Sequence, residues 1–114
     1  MIFNNPKPLR FCGSSLGDLR AFPEVARREA GHQIDQVQRG LDPDSLKPMK
    51  TVGSGVREIR VKDQTGIFRI IYVTQFEEAI YVLHCFGKKT EKTAKPDLDI
   101  ANRRLRALKQ ERRG

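Results

Sequence analysis

Residues 56–86, "VREIRVKDQTGIFRIIYVTQFEEAIYVLHCF", contain three short runs with the composition of β-strands. The runs cover residues 56–63, 67–74 and 79–86, and they are rich in the β-branched and aromatic residues that favour strands. Only three or four residues separate one run from the next. Connections this short join antiparallel neighbours, so the stretch predicts a three-stranded meander.

The first run has one apolar and one polar face. By alternation, Ile59 and Val61 share a face with Arg57. The opposite face is available for a ligand, and its side chains are Glu58, Arg60 and Lys62. The other two runs are apolar on both faces, as expected for strands in the middle of a sheet.

Arg69 is the unusual residue of the second run, because it stands between Phe68 and Ile70. A buried cation needs a partner, which can be an acidic side chain or an anionic ligand. The pattern leaves both alternatives open.

Helical patterns flank the meander. Residues 8–12 predict a short first strand, followed by a short helix near residues 16–21 and a longer helix that begins at Pro23 and ends before Gly40. The longer helix has one apolar face that should cover the sheet, formed by Ala26, Ala30, Ile34, Val37 and Leu41. Residues 42–55 are rich in Pro, Gly, Ser and Asp and predict a loop. After Pro96, the spacing of Leu98, Ala101, Leu105 and Leu108 predicts an amphipathic helix.

Positive charge is concentrated at the end of the chain. The net charge is +8, and residues 88–114 hold ten Lys or Arg against four acids. Such a polarised charge indicates an anionic partner, which could be nucleic acid, the ribosome or an acidic protein. The arginines of the last helix, at positions 103, 104 and 106, are either solvated or in contact with RNA phosphates.

The chain of 114 residues is expected to form one domain, residues 1–114, with a basic tail at about 109–114. The first residues show no secretory signal, and no apolar run is long enough for a membrane helix. Cys12 and Cys85 lack the spacing of zinc ligands and are expected to be reduced thiols, which indicates a cytoplasmic protein.

Four motifs in this order resemble the Gp49-like, or HigB-like, branch of the RelE/ParE superfamily of bacterial toxin–antitoxin toxins. They are "DLRAFPEVARREAG" (18–31), "VREIR" (56–60), "FRIIY" (68–72) and "LHCFGKKTEKT" (83–93). The resemblance extends from Leu9 to about Leu108. It implies an α+β fold with a small antiparallel sheet, two N-terminal helices packed on one face and a short C-terminal helix, with the helices on one side of the sheet.

The resemblance also implies a function. Many members are ribosome-dependent messenger-RNA endonucleases, neutralised by an antitoxin with a helix-turn-helix domain, and the toxin–antitoxin complex can bind its operator DNA. No cofactor is expected, because the sequence has no acidic cluster of the kind that holds paired magnesium ions. Two other functions remain open: a ParE-like inhibitor of DNA gyrase that catalyses nothing, and a basic module that only binds nucleic acid.

The same resemblance assigns site residues. Arg69 is expected at the scissile phosphate, and the other catalytic candidates are His84, Lys88 and Lys89. Contacts to RNA or the ribosome are expected from Arg57, Arg60, Lys62, Lys92 and Lys95. Several relatives carry a tyrosine or histidine near the C-terminus for proton transfer, whereas this chain ends in "LKQERRG". The identity of the proton-transfer groups is therefore open, with His84 and a lysine as the candidates.

Overall fold

Eight helices and strands make up the fold in the computed structural model, which describes residues 5–90 and 92–113. In chain order they are β1 (Leu9–Phe11), α1 (Ser15–Arg20), α2 (Glu24–Gln38), β2 (Leu46–Pro48), β3 (Val56–Asp63), β4 (Gly66–Val73), β5 (Ile80–Lys88) and α3 (Lys95–Arg113). The predicted α+β class is confirmed.

The sheet has the strand order β1-β5-β4-β3-β2. Its centre is the predicted meander, in which β3, β4 and β5 pair antiparallel. The sheet is nevertheless mixed, because β1 runs parallel to β5 with Leu9 opposite Ile80. A parallel neighbour needs a long connection, and both helices together with the rest of the sheet lie between these two strands.

A second difference is β2, which adds to the outer edge of β3 with Leu46 opposite Ile59. This strand lies inside the segment predicted to be a loop. It has only three residues and ends in Pro48, so its sequence carries no alternating pattern.

The two N-terminal helices pack on one face of the sheet. Buried side chains of α1, α2 and the turn between them meet those of the strands, and the helical members are Leu19, Phe22, Ala26, Ala30, Ile34 and Val37. Leu41 is an exception, since it is 40% exposed. The reason is that α2 ends at Gln38 and Gly40 adopts a positive φ of 82°, which turns the chain away from the helix axis.

The C-terminal helix differs from the expectation in length and position. With 19 residues, α3 is not short, and it includes residues 109–113 of the predicted basic tail, whereas Gly114 lies outside the described residues. Its buried side chains Ala101, Leu105 and Leu108 pack with Ile71, Val73 and Leu83. These strand residues form a second apolar cluster, so α3 covers the face opposite α1 and α2.

In the part of the chain that the structure describes, no helix is both long enough and apolar enough to cross a membrane.

Replacing Leu105 with alanine tests this packing. Leu105 is 3% exposed, and removing a buried leucine side chain costs about 2–5 kcal/mol of unfolding free energy. Urea denaturation followed by circular dichroism measures the loss. The matched control is Val25→Ala on α2, where the side chain is 68% exposed and the expected change is about 0.5 kcal/mol or less. Equal losses for the two variants would show that α3 does not pack on the sheet.

Candidate nucleic-acid interface

Three rows of side chains cross β3, β4 and β5 on the face that α3 partly covers. Residues paired across antiparallel strands have their side chains on the same face, so the strand register defines each row. The rows are Lys62–Ile67–Lys88, Arg60–Arg69–Phe86 and Glu58–Ile71–His84. Most of the predicted site residues within the strands therefore share one face.

A β-bulge in β5 brings His84 to this face. Ile71 lies opposite His84 and Tyr72 lies opposite Val82, which leaves Leu83 as the extra residue. Strict alternation from Val82 would have placed His84 under α1 and α2. The bulge instead puts His84 beside Arg69 in neighbouring rows.

The Glu58 carboxylate is fully buried among cations and a hydroxyl group. Its Oε1 accepts a hydrogen bond of 2.6 Å from Arg60 Nε, and its Oε2 accepts one of 2.6 Å from Thr93 Oγ1. Arg69 Nε lies 4.0 Å from Oε2, and both side chains have no exposed surface. The sequence left open whether Arg69 pairs with an acid or with a ligand, and the structure shows the acidic partner.

Arg69 also holds the chain that follows β5. Its Nη2 donates a hydrogen bond of 2.5 Å to the carbonyl oxygen of Thr90, and its guanidinium carbon lies 5.8 Å from the centre of the Phe86 ring. Together with the bond from Thr93 to Glu58, this contact ties Thr90 and Thr93 to the sheet.

A second carboxylate, from Asp97 in the first turn of α3, joins two of the candidate catalytic residues. Asp97 Oδ1 lies 2.9 Å from His84 Nε2, and Asp97 Oδ2 lies 2.8 Å from Lys88 Nζ. Burial by itself would raise the pKa of Asp97, but the hydrogen bonds from Lys88 and His84 outweigh it and leave the pKa below its ordinary value. Asp97 is therefore ionised at neutral pH.

The His84 ring is held between Asp97 and an aromatic neighbour. It stacks on Phe86 with 4.7 Å between ring centres and an angle of 20° between ring planes. Its Nδ1 atom is buried and has no hydrogen-bond partner among residues 5–90 and 92–113. One ring nitrogen is thus bound to Asp97 and the other is unused.

The remaining predicted lysines lie at the exposed border of the rows. The Lys88 side chain is 31% exposed, and those of Lys62, Lys89, Lys92 and Lys95 are exposed. Lys95 forms an exposed ion pair of 3.0 Å with Asp99. Two open grooves meet at the β3–β4 turn and share Thr65, Gly66 and Lys89. His84 and Lys88 line the first groove, and Lys62 lines the second.

Arg57 is not brought together with the other predicted site residues. It lies on the face covered by α2, where its Nη1 is 3.8 Å from an Asp42 oxygen. Its cross-strand neighbour Tyr72 is buried, and burial raises the pKa of the Tyr72 hydroxyl to about 12.

Three functional candidates were not identified from the sequence: Glu58, Thr93 and Asp97. Alternation placed Glu58 correctly on the polar face, and the available signal for its role was Arg69, a cation in the apolar next strand that requires a partner. The contact between Asp97 and His84 spans 13 residues and depends on where α3 docks, which no local pattern reports. Within the described residues, no group of three or more His, Cys, Asp or Glu side chains is arranged to hold a metal ion.

Replacing Glu58 with alanine should destabilise the protein strongly. It removes a buried carboxylate from Arg69, Arg60 and Thr93, and breaking a buried ion pair costs about 3–5 kcal/mol. Urea denaturation gives the loss of unfolding free energy. The control is Glu24→Ala, which breaks an exposed pair with Arg28 and should cost less than about 0.5 kcal/mol. Exposed ion pairs usually contribute about 0–1 kcal/mol. A loss of unfolding free energy below about 1 kcal/mol in Glu58→Ala would therefore contradict the central role of this carboxylate.

Comparison with known proteins gives a family and a fold. The sequence profile of the family described as "Phage derived protein Gp49-like" matches residues 17–106. Among solved structures, a chain of the toxin–antitoxin complex RelBE2 from Mycobacterium tuberculosis is similar, with a TM-score of 0.54 and 18% identity. The alignment covers 79% of this chain and 100% of that chain. At this identity the likeness shows a shared fold. No curated protein has significant sequence similarity to the chain.

Proposed function

This chain belongs to the phage-derived Gp49-like family, a family of RelE-like toxins, and we propose that it is a ribosome-dependent messenger-RNA endonuclease. The observation that carries the proposal is the placement of His84 and Lys88 on one carboxylate, at the border of a row of cations. A group that exchanges protons and a group that neutralises a phosphate are thereby within reach of one RNA linkage.

The cationic rows suit the electrostatics of RNA cleavage. Arg60, Lys62, Lys88 and Lys89 lie at or near one end of the sheet, and Lys92 and Lys95 follow along the chain. Cations placed where negative charge develops stabilise the phosphorane transition state. Arg69 is too buried to touch a phosphate in this conformation, so we assign to it the role of a fixed positive charge beneath these rows.

The chemical step uses the ribose of the message itself. The 2′-oxygen bonds to phosphorus as its proton passes to His84, and the bond from phosphorus to the 5′-oxygen breaks. The departing 5′-oxygen takes a proton from the Lys88 ammonium group, and the products are a 2′,3′-cyclic phosphate and a 5′-hydroxyl. Since His84 is only 6% exposed, the message must displace part of its cover to reach Nδ1.

A partner antitoxin is part of the proposal. The similar RelBE2 structure is a toxin–antitoxin complex, and the exposed lysines of this chain suit an acidic segment of a partner. We expect the partner to carry a helix-turn-helix domain, the complex to bind its operator DNA, and the toxin to act on ribosomes in the cytoplasm.

The first test is cleavage of an end-labelled message by purified ribosomes with and without the protein. We expect discrete cuts, spaced by codons, that require the ribosome. In His84→Gln the rate should fall by about 10²–10⁴-fold, the usual contribution of an acid–base residue. The matched control is His32→Gln, because His32 is exposed on α2 and outside the rows.

Each outcome of this assay has a meaning. A near-normal rate in His84→Gln would make His84 structural. An intact message would reject the endonuclease, and inhibition of DNA supercoiling by gyrase would then establish the ParE-like alternative, whereas salt-dependent binding alone would establish a binding module.

A second test measures the phosphate contacts of Lys88 and Lys89. The logarithm of the ribosome affinity falls linearly with the logarithm of the salt concentration. Replacing both Lys88 and Lys89 with alanine should make this slope shallower by about two. Sedimentation with ribosomes over a range of salt concentrations gives this slope. The double variant of the exposed α2 residues Arg27 and Arg28 is the control and should keep the original slope. An unchanged slope in the lysine variant would exclude phosphate contacts at these two positions.

A further inference from the structure

Asp97 contacts His84 and Lys88 through different oxygens of the same carboxylate. The distances are 2.9 Å from Oδ1 to His84 Nε2 and 2.8 Å from Oδ2 to Lys88 Nζ. The Asp97 and His84 side chains are 13% and 8% exposed, so water competes little for this contact. The geometry points to Asp97 as a positioning residue that fixes the His84 ring and the Lys88 ammonium group for cleavage, an inference that rests on the proposed endonuclease function.

The carboxylate determines which His84 nitrogen carries hydrogen. An ionised carboxylate only accepts hydrogen bonds, so Nε2 must be the donor. The lowered pKa of Asp97 keeps it in this acceptor form at neutral pH. In the neutral imidazole Nδ1 then keeps its lone pair, and it has no partner among the described residues. A lone pair is what removal of the 2′-hydroxyl proton requires.

Two further contacts limit the freedom of this arrangement. The stacked Phe86 ring sets the plane of the imidazole, with 4.7 Å between ring centres. Asp97 itself is held at the first turn of α3, where its amide donates a hydrogen bond of 3.1 Å to the carbonyl oxygen of Ala94. The N-terminal end of a helix also favours a negative side chain. The position of α3 on the sheet therefore sets the position of both candidate catalytic groups.

A merely structural Asp97 would tie α3 to β5, and replacing it with a residue that keeps this tie would leave the cleavage rate unchanged. The variant Asp97→Asn separates the two roles, because an amide can donate as well as accept and no longer requires a hydrogen on Nε2. The matched control is Asp35→Asn, which removes the charge of an exposed ion pair with Arg39 on α2.

The experiment has two readouts on the full chain. Nitrogen chemical shifts of His84, measured by NMR at alkaline pH, report the tautomer in the absence of ribosomes. Message cleavage on ribosomes reports the rate. We expect the Nε2–H tautomer in the wild-type protein, loss of this preference in Asp97→Asn, and a fall in rate of about 10²-fold, the effect of misplacing a reacting group by about 1 Å. Asp35→Asn should match the wild-type protein in both readouts.

Several results would overturn the inference. An Nδ1–H tautomer in the wild-type protein would do so, and this measurement does not depend on whether Asp97→Asn folds. An unchanged tautomer with a normal cleavage rate in Asp97→Asn would also do so. If the wild-type protein cleaves no message, the endonuclease proposal fails, and with it the catalytic part of this inference, while the tautomer still decides whether Asp97 orients His84.

Discussion

The buried Glu58 carboxylate is the interaction on which the arrangement of this face depends. A fully buried guanidinium in the middle of a sheet, as at Arg69, is costly unless an acid lies nearby. Glu58 supplies that acid and also binds Arg60 and Thr93. One carboxylate thereby connects β3, β4 and the segment after β5, and it allows charged side chains to occupy positions that an ordinary sheet would fill with apolar ones.

The second carboxylate repeats this principle at the edge of the sheet. Asp97 pairs with Lys88 and contacts His84, which ties both to α3. The basic side chains of this face thus contact two buried acids, Glu58 and Asp97. Cations gathered in a small area repel one another, which destabilises the fold unless acids offset the repulsion. The two acids reduce this cost and leave the outer lysines, such as Lys62 and Lys89, exposed to attract a polyanion.

The sequence predicted those elements whose signals are local. The meander follows from three alternating or apolar runs and short connections, and α2 follows from the spacing of its alanines and Val37. The parallel pairing of β1 and the addition of β2 were not predictable, because three-residue strands carry no periodic signal and owe their position to the neighbouring edge. The same limit applies to the site. His84 reaches the correct face through a bulge, and Asp97 reaches His84 through the docking of a helix, so both depend on long-range packing.

The lysines of this face differ in their exposure, and this difference bears on the proposed action on RNA. Exposed lysines attract any polyanion at long range and lose this attraction with salt. Lys88 is different, since Asp97 already neutralises it and a phosphate must compete with that carboxylate. A weakly held RNA gains little from such a site, whereas a linkage held there by other contacts can use the ammonium hydrogens that Asp97 does not engage. For the proposed endonuclease, this pairing of Lys88 favours action on a message that a large partner holds in place.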